Sequence, residues 1–150
     1  MLPAKLFAVF AVLFALCAGL ARLGAFPAVD IGIRDRYFSV GPVLVLLYCA
    51  ITSINFALLY YAAIRFLRAR WNRAMGILHG ALFLCFAISF SVLFAVSARA
   101  GNAGPSGEEI RWVFVPFLLG IFSLAASFVV FAVNLTLTVV QLVRSRFAGH

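Results

Sequence analysis

The stretch PVLVLLYCAITSINFALLYYAAI, residues 42–64, followed by RFLRARWNR, residues 65–73, decides the fold. It runs for 23 residues without a charge and then places four arginines in nine positions with no acid among them. At about 1.5 Å of rise per residue, roughly 20 apolar residues in a helix cross the hydrocarbon core of a bilayer. No water is present there to satisfy peptide groups, so a segment of this kind must be helical. Pro42 suits the first turn of such a helix, where its missing N–H costs nothing. The arginines that close the run are of the kind retained on the cytoplasmic face.

Working outward from this helix, three more runs have the same character. Leu6 to Leu23 follows Lys5 and meets no charge before Arg22. It reads as a retained helix or as a cleaved signal peptide. Its length and the lack of a clean small-x-small site favour retention. A third run from Ala74 ends at Ala98, where Arg99 and Gly101-Asn102-Ala103-Gly104-Pro105 follow. Ser106-Gly107-Glu108-Glu109 has the form of a capping box and predicts that a fourth helix begins near Gly107. That helix extends to about Val143, too long to stand upright in a bilayer. Either Pro116 and Gly120 kink it, or its first turns lie in the interface with Trp112 as an anchor. Residues 24–41 read as a connection lying along the interface, with Ile31, Ile33, Tyr37 and Phe38 among its charges.

The predicted fold is therefore all-α: one four-helix transmembrane bundle over residues 1–150, with spans near 5–23, 42–66, 74–98 and 111–143. Four spans put both termini on one side. With residues 65–73 cytoplasmic, that side holds Lys5, Arg65, Arg68, Arg70, Arg73, Arg144 and Arg146, and the other holds Arg22, Arg34, Arg36, Arg99 and Arg111 with all four acids. The rule counts Lys and Arg, so seven against five gives an N-in/C-in protein of a bacterial inner or plasma membrane.

Composition agrees with this and narrows the function classes. Hydrophobic residues make up 66% of the chain and charged residues 11%, against about 25% charged in soluble domains. The net charge of +8 is concentrated in short connections between apolar runs, which points to anionic lipid head groups and not to nucleic acid. Cys17, Cys49 and Cys85 lie in separate runs and form no CxxC, so they read as small buried hydrophobes. All four acids (Asp30, Asp35, Glu108, Glu109) fall in connections, which counts against ion-coupled transport through an intramembrane carboxylate. No phosphate-binding loop, HExxH or GxSxG sequence is present.

The polar residues inside the spans remain to be placed. Thr52 and Asn55 share a face of the second helix with Tyr48, and Asn134, Thr138 and Gln141 share a face of the fourth. Such groups serve most simply as hydrogen-bond glue between helices. The alternative is a polar cleft for a small solute or a quinone head group. His79 is the one histidine within the runs, with Tyr48 and Tyr60 as weak companions for a bound cofactor. A haem or zinc site needs more ligands than the runs contain, so neither a cofactor nor a metal is expected. Gly76 and Gly80 form a GxxxG that permits close helix approach.

His79-Gly80 ahead of an apolar helix, and Val133-Asn134-Leu135-Thr136-Leu137-Thr138 ahead of Arg144, resemble two helices of haem-copper oxidase subunit I. The multiple haem and copper histidines of that family are missing. What the resemblance implies is a non-catalytic relation only, and the fold does not rest on it.

These features lead to a non-catalytic membrane subunit or interaction protein. It would bind anionic lipid through Arg65, Arg68, Arg70 and Arg73, and pack against other membrane subunits or itself. The alternatives are a solute transport or channel component with a polar path between the second and fourth helices, and a membrane redox or quinone-site protein.

Overall fold

A computed structural model describes residues 2–24, 29–33, 36–66, 72–100 and 107–147, with side-chain environments within 2–24, 40–65, 72–96, 114–144 and at 147. Among these residues there are four helices: α1 (Leu2–Leu23), α2 (Pro42–Phe66), α3 (Arg73–Ala100) and α4 (Gly107–Phe147). Each contains a segment long and apolar enough to cross a membrane. The 41 residues of α4 extend for roughly 61 Å, about twice the thickness of a hydrocarbon core.

The helix starts follow from local chemistry. The carbonyl of Gly41 accepts the N–H groups of Leu44 (3.1 Å) and Val45 (3.3 Å), and Pro42 occupies the first helical position of α2. Asn72 caps α3: its Oδ1 accepts the N–H of Ala74 at 3.0 Å and of Met75 at 3.3 Å, which satisfies two donors that have no partner within the helix. The proposed capping box at Ser106 lies outside the described residues.

The connection between α1 and α2 is not simply irregular. Val29–Ile33 (β1) and Arg36–Val40 (β2) form an antiparallel hairpin with Val29 opposite Val40, Ile31 opposite Phe38 and Ile33 opposite Arg36. Apolar residues at every second position of β1 suit a strand as well as an interfacial loop, and the pairing in sequence of two such short runs tips the balance.

The bundle is built from two helical hairpins. α1 packs chiefly on α2, and α3 on α4. Contacts of α1 and α2 with α3 join the hairpins, and the Phe56 ring of α2 also meets Phe128 and Phe131 of α4. Phe7, Phe10, Phe14, Phe56, Tyr60, Phe83 and Phe86 form the centre. Glycines allow the closest approaches. A Cβ at Gly76 would lie 2.5 Å from Cγ of Pro3, one at Gly80 2.5 Å from Cδ2 of Leu6, and one at Gly120 3.0 Å from the ring of Phe90. The GxxxG of α3 thus receives α1 of the same chain.

The distribution of polarity is inverted relative to a soluble protein. His79, Asn134, Thr138, Ser53, Ser89, Ser123 and Ser127 are buried. Leu16, Leu20, Leu44, Ile51, Phe122 and Val129 are each 60% or more exposed.

Candidate functional site

A chain of polar groups runs through the core on the side of the bundle where α2 ends and α3 begins. His79 lies in the second turn of α3, wholly buried, and its Nδ1 is 3.0 Å from the hydroxyl of Tyr60 on α2. The side chain of Asn134, on α4, also hydrogen-bonds Tyr60. Asn134 in turn grips the backbone of Asn72: its Oδ1 accepts the N–H at 3.3 Å, and its Nδ2 donates to the carbonyl at 3.4 Å. The amide thus holds the Asn72 backbone through both its oxygen and its nitrogen.

Two arrangements fit the pair: the Tyr60 hydroxyl donates to Nδ1 with the ring proton on Nε2, or Nδ1–H donates to the Tyr60 oxygen. Nε2 is buried and makes no conventional hydrogen bond among the described residues. The imidazole lies within a cage of rings, the distances that follow being between ring centroids. The centroid of Phe56 is 4.4 Å away and at right angles, that of Phe7 4.6 Å and that of Phe131 5.3 Å. Below it, Ser127 on α4 donates to the main-chain carbonyl of His79 at 3.3 Å.

All four helices contribute, through Phe7, Tyr60, His79 with Asn72, and Asn134 with Ser127. The chemistry of the arrangement is cohesive. A buried polar group unpaired in an apolar medium is costly, so each of these groups restrains the next. Among the described residues no group of three or more His, Cys, Asp or Glu side chains comes together.

The other residues singled out by sequence are dispersed. Thr138 is buried and donates to the carbonyl of Asn134 at 2.8 Å, whereas Gln141 is exposed. Tyr48 and Asn55 lie on the exposed side of α2, with Thr52 half-buried between them. Asn55 and Asn134 therefore do not line a common path, and Tyr48 is not a neighbour of His79. Arg65 and Arg73 are exposed at the adjoining ends of α2 and α3, and Arg68 and Arg70 lie outside the described residues. The aromatic cage has no linear motif; the phenylalanines that form it look like any others in an apolar run.

A second feature lies at the opposite end of the bundle. A cavity of about 490 Å³ opens between α1, α2 and α3, bordered by Leu20, Val45, Leu46, Cys49, Ala87 and Phe94. Ser91 also borders it, but its hydroxyl donates to the carbonyl of Ala87 at 2.9 Å. The wall thus offers an occupant mainly hydrocarbon contact, the kind of surface that stays dry or takes an apolar guest.

Compared with protein-family models, curated proteins and solved structures, the chain matches none.

Proposed function

We propose that this chain is a small membrane protein that crosses the bilayer four times, with both termini and the arginine-rich 65–73 connection on the cytoplasmic side. In this reading it acts as a non-catalytic subunit or assembly partner of a membrane complex. The observation that carries the proposal is the inverted surface: leucine, isoleucine, valine and phenylalanine outside, and His79, Asn134, Thr138 and four serines inside. In water that exterior would drive aggregation, and in lipid it needs no cover.

A partner role is favoured over transport by where the polar groups go. Asn134, Tyr60, His79 and Asn72 are engaged with one another as internal ties. Asn55 faces away from them, on the outside. A polar path between α2 and α4 would need Asn55 and Asn134 to converge. Arg65 and Arg73, with Arg68 and Arg70 between them in sequence, form a basic rim suited to anionic head groups, each worth about 1 kcal/mol near a charged leaflet.

Native mass spectrometry of the protein gently extracted from its own membrane tests this. Added mass from another polypeptide or from a second copy is the expected result. A bare monomer that passes solute across liposomes, with flux abolished by Asn134→Ala, would replace the subunit reading with transport.

A further inference from the structure

Asn55 is a primary amide near the middle of α2, 13 residues beyond Pro42 and 10 before Arg65. It is exposed, and none of the hydrogen bonds described for this chain involves its side chain. At about 100° per residue it falls in the centre of the exposed arc of α2, which also carries Leu44, Tyr48, Ile51, Leu58 and Leu59. The buried residues Cys49, Ser53, Phe56, Tyr60 and Ala63 occupy the opposite arc. An amide in this position, facing hydrocarbon, lacks partners for two donors and an acceptor.

The spacing around Asn55 is ordered. Tyr48, Ile51, Asn55, Leu58 and Ala62 follow one another at intervals of three, four, three and four. This is the seam of a left-handed coiled coil, with Tyr48, Asn55 and Ala62 at one core position and Ile51 and Leu58 at the other. The chain uses a seam of this form elsewhere. On α4, Gly120, Ser127 and Asn134 recur at intervals of seven, and so do Leu124, Phe131 and Thr138. There the asparagine is buried against α3. Among the described residues, the α2 seam faces no helix of its own chain.

We propose that the occupant of this seam is a second copy of the same chain, docked α2 against α2 about a two-fold axis along the membrane normal. Two copies inserted the same way have parallel α2 helices, and a symmetric contact places each residue near its own counterpart. A primary amide is complementary to itself, since the N–H of one Asn55 meets the oxygen of the other. A single asparagine at such a core position also fixes register and favours a pair. This deepens the partner reading above and rests on the chain lying in a bilayer.

The test uses full-length protein in lipid vesicles, with Cys17, Cys49 and Cys85 replaced by alanine. Single cysteines are placed in turn at Ile51, Leu58, Ile54 and Ala57, and disulfide cross-linking is scored by dimer mass. Cross-linking strong at Ile51 and Leu58 and weak at Ile54 and Ala57 is expected. Adding Asn55→Leu should raise the dissociation constant of the pair about three- to thirty-fold, and Asn55→Gln should restore much of it. Equal cross-linking at all four sites, or none, would overturn the pair. Cross-linking at Ile51 in native membranes to a different polypeptide would also overturn it, while leaving the subunit reading standing. Release of the chain from membranes by alkaline carbonate would remove both.

Discussion

The Tyr60 hydroxyl and Nδ1 of His79 lie 3.0 Å apart with both residues wholly buried, and this bond ties α2 to α3 where the two helical hairpins have few other contacts. Tyr60→Phe keeps the ring stacked on Phe7 but leaves His79 without a conventional hydrogen bond at either ring nitrogen. The expected loss of stability is about 1–3 kcal/mol. Unfolding by sodium dodecyl sulfate in mixed micelles would measure it. A double-mutant cycle with His79→Leu should assign about 0.6–1.7 kcal/mol to the pair, the range of hydrogen bonds between membrane helices. A Tyr60→Phe protein as stable as the parent would mean that the bond contributes nothing.

The two asparagines of the apolar helices should behave oppositely. Asn134→Leu removes the grip on Asn72 and the bond to Tyr60, and should lower the unfolding midpoint of the monomer by an amount comparable to Tyr60→Phe. Asn55→Leu, on an exposed face, should leave the monomer within about 0.5 kcal/mol of the parent. Asn72→Ala removes the cap of α3 and should cost about 0.5–2 kcal/mol. Dilute protein in detergent, where association is suppressed, is the sample to compare. Equal effects of Asn134→Leu and Asn55→Leu would contradict the placement of one inside and the other outside.

This contrast also marks how far the sequence can be read. The helices were legible to within a few residues because length, apolar run and flanking charge act locally, as Pro42, Asn72 and the arginines after Ile64 illustrate. Ile54-Asn55-Phe56 and Val133-Asn134-Leu135 look alike on a line of text. Only the pairing of α3 with α4 decides that one amide is enclosed and the other is not. His79 and Tyr60 were visible as polar residues in apolar runs, but their contact depends on how α2 crosses α3, which no single helix encodes. Tyr48 was equally eligible by type, yet it lies 12 residues from Tyr60 and so about a third of a turn around the helix. The β1–β2 hairpin was missed because its strands are five residues each, too short for alternation to outweigh an interfacial loop.

Gly76 and Gly80 make a graded prediction. An added Cβ at Gly76 meets the ring of Pro3, which is rigid and sits in the first turn of α1, so the helix itself must shift. At Gly80 the obstacle is the end of the Leu6 side chain, which can rotate away. Gly76→Ala should therefore destabilise by about 1–3 kcal/mol, as overpacking does, and Gly80→Ala by less. Because both face α1, the larger Gly76→Leu should damage the fold of the monomer before it affects association. Thermal unfolding in detergent and gel filtration of the same samples separate these effects. A folded Gly76→Leu monomer that has merely lost its partner would place the glycine on an outer face instead.

The orientation rests on a narrow balance and is open to a sharp test. Ala69→Cys should react with a membrane-impermeant maleimide only after the cells are permeabilised, and Asn102→Cys should react in intact cells. The seven Lys and Arg residues assigned to the cytoplasmic side exceed the five on the other by two. Removing Arg68 and Arg70 leaves five against five and dissolves the cluster that dominates the signal. The Arg68→Gln, Arg70→Gln protein should accordingly insert in both orientations, with Ala69→Cys partly labelled in intact cells. If labelling stays one-sided, the arginines do not set the topology, and their place between α2 and α3 in the sequence has to be explained by lipid or partner binding alone.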